Sequence, residues 1–242
     1  MVAKISFRNA TLQPLTLLVG ANDYLASRGF GRIRAALNDA YPEFEQHSLA
    51  ETYQSGQLFN LATPSLFAEP RLILIEAPNK ELVDDLQRFS KEPAELTFLV
   101  VRIQGQSGAN KDLVKLNAQQ IDCDEPKREQ DKQAFLQAEV RELGKTVAPD
   151  AQRLLIQTFG NDLAELAAAC SQLAQTEEPE IDFEEVDNLF GGREQTTAFK
   201  VVDAAFAGDL QTALRLLRNA RDTGIDPVPL VATVAMRTRQ LS

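Results

Sequence analysis

Thr63-Pro64-Ser65-Leu66-Phe67-Ala68-Glu69-Pro70, followed at once by Arg71-Leu72-Ile73-Leu74-Ile75-Glu76-Ala77-Pro78, is the stretch on which the fold turns. Its second half sets four consecutive apolar residues between Arg71 and Glu76, the pattern of a strand buried on both faces of a parallel sheet. The first half reads differently. Thr63 suits an N-cap and Pro64 the first helical position, so Pro64 to Ala68 is expected to form a single helical turn stopped by Pro70. On so short an element Leu66 and Phe67 point about 100° apart, and a turn held between prolines offers little surface to hide both. At least one is expected to face water or a partner.

Outward from that strand the pattern repeats. Leu15 to Val19 is a short apolar run, followed by Gly20-Ala21-Asn22-Asp23 and a helical pattern from Tyr24 to about Ala40 carrying Leu25, Ile33, Ala36 and Leu37. Phe44 to Leu49 is a weaker strand candidate, and helical signal returns from about Ala50 to Leu61. Downstream, Asn79 is placed to cap a helix with Leu82, Val83, Leu86 and Phe89 at helical spacing. Thr97 to Ile103 reads as another buried strand, Lys111 to Asn117 as a short helix, and Gln120 to Cys123 as a closing strand. This alternation of strand and helix predicts a doubly wound α/β layer structure over residues 1–125.

From Glu125-Pro126 onward strand signals stop. Helical segments are expected over Glu129 to Leu143, Pro149 to Phe159, Asp162 to Gln175 and Phe183 to Leu189, with Asp162 and Glu165 spaced as a capping box. Gly191-Gly192 marks a further boundary. Beyond it come a helix from about Thr196 to Phe206, another capped by Asp209 and ended by Gly224, and a third opened by Asp226-Pro227 that is still amphipathic through Leu230, Val231 and Val234. The expected organisation is an α/β domain over 1–125, a small helical domain over 126–191, and the first part of a truncated helical domain over 192–242.

Of the 242 residues, 44% are hydrophobic and 25% charged, enough for a sizeable core. Lys and Arg number 25 against 35 Asp and Glu, a formal charge of -10. That balance argues against a chain that grips nucleic acid by itself, because non-specific affinity depends on cations that neutralise phosphates. Cys123 and Cys170 lack metal-ligand spacing and read as reduced thiols of a cytoplasmic protein. No apolar run approaches a membrane span.

The alternating unit invites a search for nucleotide machinery. Gly20-Ala21-Asn22-Asp23-Tyr24 sits where a phosphate loop would sit, yet it lacks the glycine-rich turn and the Lys-Ser/Thr pair, and Asp23 would repel phosphate. Gly105-Gln106-Ser107-Gly108-Ala109-Asn110-Lys111-Asp112 fails as well, since its lysine is neither preceded by glycine nor followed by a hydroxyl residue. Glu76 at a strand end then has no partners for magnesium chemistry and reads as a solvated carboxylate. His47 is the only histidine, which removes most catalytic triads and the common zinc sites, and its polar surroundings predict exposure. The paired acids Asp84-Asp85, Glu177-Glu178 and Glu184-Glu185 read as solvated faces. Cys170 belongs to an apolar stripe with Leu163, Leu166, Ala167 and Leu173 and is expected in a core.

Four stretches together carry a resemblance. They are Leu17-Leu18-Val19-Gly20 leading to Asp23-Tyr24-Leu25; Pro64-Ser65-Leu66-Phe67 followed by Arg71-Leu72-Ile73-Leu74-Ile75-Glu76; Gly160-Asn161-Asp162-Leu163 leading to Leu166 and Leu173; and Phe199-Lys200-Val201-Val202-Asp203-Ala204 with Ala207-Gly208-Asp209 and Ala213-Leu214. In this order and spacing the chain resembles the delta subunits of bacterial DNA polymerase III clamp loaders. Phe190 to Leu230 looks like the form found in actinobacterial members.

The resemblance implies an AAA+-like α/β domain without a phosphate loop, a helical lid, and a helical collar through which the subunit joins gamma/tau and delta prime subunits. It implies no cofactor, no metal and no intrinsic catalysis, in a subunit of a DNA-directed DNA polymerase holoenzyme that meets primed DNA only within the assembled loader. It also implies a site. Ser65-Leu66-Phe67 matches the end of the short motif by which many bacterial ligands bind the ring-shaped sliding clamp (beta subunit), while Thr63 and Pro64 depart from its first two positions. Pro64, Ser65, Leu66 and Phe67 are the clamp-binding residues so implied, with Leu66 and Phe67 as a hydrophobic plug. The competing reading from the residues alone is a nucleotide-dependent enzyme or switch with a phosphate site on one of the two glycine-containing loops.

Overall fold

The computed structural model of the chain describes residues 3–49, 54–62, 69–76, 78–105, 108, 110–190, 194–222, 231, 233–235 and 238. These fall into two compact units, Met1–Glu125 and Pro126–Ser242. In the first, β1 (Leu15–Val19), α1 (Asp23–Ala40), β2 (Glu45–Leu49), α2 (Gln57–Ala62), β3 (Arg71–Ile75), α3 (Lys80–Lys91), β4 (Thr97–Ile103), α4 (Asn110–Leu113) and β5 (Gln119–Asp122) alternate along the chain. The strands form one five-stranded sheet in the order β2-β3-β4-β1-β5, every pair parallel. Parallel neighbours need a crossover connection, and helices in the intervening sequence supply it.

Burial follows the sequence pattern. All five residues of β1 are buried, as are six of the seven in β4, whereas β2 at the margin alternates between half-buried and exposed. On one face Leu17, Val19, Ile73, Ile75, Leu99 and Val101 pack with Leu58 of α2, Leu82, Leu86 and Phe89 of α3, and Leu113 of α4. Along a strand the intervening side chains point to the opposite face. There α1 lies against the sheet, and Gly29 lets it approach Leu18 and Ile121 closely, a Cβ at that position meeting them at 3.0 and 3.4 Å. Asn22 caps α1 by accepting the Leu25 amide at 3.0 Å, and Asn79 caps α3 by accepting the Leu82 amide at 3.0 Å.

The second unit contains α5 (Glu129–Glu142), α6 (Pro149–Phe159), α7 (Leu163–Leu173), α8 (Phe183–Phe190), α9 (Glu194–Phe206) and α10 (Leu210–Asp222). Asp162 caps α7 through the amides of Ala164 and Glu165 at 2.8 and 3.1 Å, while its own amide donates to the Phe159 carbonyl. Asp209 caps α10 through the Thr212 amide at 3.0 Å. Cys170 lies in the core with Leu166 and Leu173, as its place in the stripe predicts.

Several expectations need correction. The second unit is not free of strands: β6 (Thr146–Val147) and β7 (Glu180–Ile181) form a parallel pair, braced by Lys145, whose ammonium reaches the carbonyl oxygens of Thr176 and Glu178. Two residues are too few to show any periodicity. His47 is half-buried rather than exposed, because its ring stands 3.1 Å from the Glu45 carboxylate two residues away on the same face of β2. The helix expected from Ala50 begins, in the described residues, at Gln57 after a turn closed by the Gln57 amide on the Gln54 carbonyl. The helix expected over Lys111 to Asn117 is α4 alone, followed by turns that take the Leu116 amide to the Leu113 carbonyl. Thr63 to Ala68, Gly191-Gly192, Gly224, Asp226-Pro227 and Leu230 lie outside the described residues.

Candidate functional site

The four residues singled out by the sequence, Pro64, Ser65, Leu66 and Phe67, lie outside the described residues, but both ends of the segment that carries them are described. The chain enters it from α2 and leaves it through Pro70 into β3. A six-residue helix is far below the length at which propensity alone sustains one, so α2 depends on its surroundings. At its start the Gly56 amide donates to Asp85 Oδ2 of α3 at 2.8 Å. In the middle Leu58 is fully buried, and the Arg88 guanidinium lies over the Phe59 ring at 4.8 Å.

At its end α2 meets a charged cluster. Arg71 donates from Nη1 to the Leu61 carbonyl oxygen at 2.7 Å and from Nε to Glu45 Oε2 at 2.9 Å. The guanidinium thereby occupies the carboxyl end of a helix, where unsatisfied carbonyls favour a cation. Glu45 stands directly opposite Arg71 in the β2–β3 register. Hydrogen bonds from His47 and then Arg71 hold its carboxyl below the usual carboxylate range. On the exit side, the Pro70 carbonyl accepts the Glu45 amide at 2.9 Å and the Arg71 amide donates to the Leu96 carbonyl at 2.7 Å. In the sequence, the only signal of Arg71 is a charge at the head of an apolar run.

In the loop between β1 and α1, where a phosphate would bind in a nucleotide-dependent protein, the amides of Gly20, Asn22 and Leu25 are committed elsewhere. The Gly20 amide donates to the Ile103 carbonyl at 3.0 Å, the Asn22 amide to the Cys123 carbonyl at 2.9 Å, and the Leu25 amide to the Asn22 side chain. Arg102 turns inward and donates to the Gly20 carbonyl at 2.7 Å and to Asp23 Oδ1 at 3.0 Å. Phosphate sites of this kind work by pointing free amides at the anion. Here the loop is pressed onto the backbone after β5, so tightly that a Cβ on Gly20 would come within 2.1 Å of the Cys123 carbonyl carbon.

Beside this loop a cleft of about 500 Å³ is lined by Leu18, Phe30, Leu74, Asp23, Glu76 and Arg102. Two carboxylates at its rim oppose an anionic ligand. Glu76 is exposed at the end of β3, as expected. At the other glycine-containing loop, the Asn110 side chain donates to the Gln104 carbonyl at 2.6 Å and the Lys111 amide to the Gly108 carbonyl. Gln106, Ser107 and Ala109 of that loop lie outside the described residues.

Among the described residues no cluster of three or more His, Cys, Asp or Glu side chains is arranged to hold a metal ion. Burial pushes the thiol of Cys123 up to about 11 and that of Cys170 up to about 12, so both stay protonated at neutral pH. No helix among the described residues is long and apolar enough to cross a membrane.

No family model matches the chain, and no curated protein sequence does. Solved structures do. The delta protein of the Bacillus subtilis DNA clamp loader is similar with a TM-score of 0.63 and 16% identity, over 96% of this chain and 74% of that one. A Thermotoga maritima RuvB variant matches with a TM-score of 0.42 and 10% identity, over 80% of this chain and 69% of that one, a likeness too loose to build on. The first likeness is one of fold. With the parallel sheet and a second unit that is helical apart from the β6–β7 pair, it bears out the expected class of an α/β domain followed by mainly helical structure.

Proposed function

We propose that this chain is a delta-type subunit of a clamp loader, which binds a ring-shaped sliding clamp through Pro64, Ser65, Leu66 and Phe67 and holds the ring open for loading onto primed DNA. The observation that carries the reading is the fold likeness, along nearly the whole chain, to a clamp loader delta protein. The committed amides around Gly20 agree with a subunit that works without a nucleotide of its own. In this reading 126–191 is a lid and the helices from 192 onward begin a collar that meets the other loader subunits, with DNA approached only in the assembled loader.

Energetics limit what the plug does. Burying one Leu and one Phe contributes about 1.5 to 3 kcal/mol each, before the cost of association. That is too little to pull apart a large subunit interface. It suffices to bias a strained ring toward its open state, provided the plug binds that state better.

The test is equilibrium binding of purified sliding clamp to the parent and to Leu66→Ala with Phe67→Ala, each shown to be folded by circular dichroism. Loss of about 3 to 6 kcal/mol of burial corresponds to more than about a hundredfold weaker binding. A folded double variant that binds as tightly as the parent overturns the assignment.

A further inference from the structure

We propose that Arg71 is the positioning residue of the clamp-binding segment, a clasp that fixes the two ends, Leu61 and Arg71, between which residues 62–70 run. This inference rests on the reading just given. Arg71 is the first residue after the segment and Leu61 lies just before it, and the Nη1–O bond of 2.7 Å between them joins the two ends directly. The Arg71 side chain is only 14% exposed, so water competes poorly for that bond.

The guanidinium does this with two donors aimed in different directions. Nε is held by Glu45 on the neighbouring strand, which orients the planar group, and Nη1 is thereby directed at the end of α2. The strand itself is immobilised through the Arg71 amide on Leu96 and the Pro70 carbonyl on Glu45. α2 is pinned at its other end by Asp85 through Gly56. An ammonium is a point charge and cannot reproduce a fork that serves a carboxylate and a carbonyl at once.

What the clasp would supply to binding is preorganisation. A short segment that carries two apolar anchors loses conformational freedom when it docks, and tying its ends together beforehand lowers that cost. A helix too short to stand alone would otherwise fray from its carboxyl end, which is the end that meets Thr63. The clasp therefore acts on the plug through the backbone, without touching the clamp.

Hydrogen exchange followed by mass spectrometry on the full chain tests this, comparing the parent with Arg71→Gln, Arg71→Lys and Glu45→Gln, alongside clamp affinity for each. Arg71→Gln is expected to speed exchange of the amides of α2 while those of β1 and β4 keep their protection, and to weaken clamp binding roughly tenfold. Arg71→Lys falls between parent and Arg71→Gln in both measurements. Glu45→Gln, which leaves the Leu61 bond in place, shows the smallest change. Unchanged exchange in Arg71→Gln overturns the clasp. Faster exchange with clamp affinity equal to the parent's overturns its role in positioning. Should the Leu66 and Phe67 double variant itself bind the clamp normally, the plug assignment has failed, and the exchange measurement still reports whether Arg71 ties the segment's ends.

Discussion

Arg102, the one charged residue of β4, donates from Nη1 to the carbonyl oxygen of Gly20, 82 positions earlier in the chain, at 2.7 Å. The cation closes the loop from within, and the amides of Gly20 and Asn22 are spent on the carbonyls of Ile103 and Cys123.

Replacing Arg102 by Ala is expected to cost about 1.5 to 3 kcal/mol, the range for a hydrogen bond to a charged group. The ion pair with Asp23 adds little, since that side chain is 87% exposed and screened by solvent. Urea denaturation reads the loss. Titration of magnesium ATP into the same variant is expected to show no binding gained, because Asp23 and Glu76 remain at the rim and the Gly20 and Asn22 amides remain engaged.

Two glycines separate close packing from simple chain freedom. Gly20 has φ +143° and no room for a Cβ, so Gly20→Ala is expected to destabilise by about 3 kcal/mol or more. Gly31 lies within α1, where a Cβ would meet nothing within 4 Å. Gly31→Ala is expected to stabilise by about 0.5 to 1 kcal/mol. Thermal and urea unfolding of both variants check the opposite signs.

Acid is expected to remove the contribution of Glu45. Its folded carboxyl is held below the unfolded value by His47 and Arg71, so the stabilisation is present above the ordinary carboxylate range and is lost as pH falls through the folded value. The stability difference between the parent and Glu45→Gln is expected to shrink as pH falls below the ordinary carboxylate range, measured by denaturant unfolding at each pH.

Neither thiol is expected to react with an aromatic disulfide reagent at pH 8 while the protein is folded. Cys123 and Cys170 are both buried, and their thiols are pushed up to about 11 and about 12. Both react once denaturant exposes them. Above the ordinary thiol range the unfolded chain ionises first, so stability declines as pH rises past about 9.

Runs such as Leu15–Val19, Arg71–Ile75 and Thr97–Ile103 are legible because so many consecutive apolar residues can be hidden in few ways, and a parallel sheet covered on both faces is one of them. The caps Asn79, Asp162 and Asp209 are legible because the bond each makes is local, two or three residues away. β2 is fainter, since a marginal strand half-buries only every other residue and leaves the rest exposed. The β6–β7 pair is invisible, its two halves being brief and more than thirty positions apart. For the candidate site, Pro64 to Phe67 stand out as a motif, whereas the anchor that frames them does not. A lone arginine before an apolar strand says nothing about Leu61 or Glu45 until the strands are laid side by side.

The start of the chain also governs how the sheet can grow. Ile5 runs beside β5, its amide on the Gln120 carbonyl at 2.8 Å and its carbonyl on the Asp122 amide at 2.8 Å, so that margin already has backbone company. The opposite margin is β2, and the side chains there, Glu45, Gln46, His47 and Ser48, are polar. Among the described strands, the margin without backbone company is β2, so a ribbon that lengthens the sheet alongside Glu45–Leu49 meets a hydrophilic border.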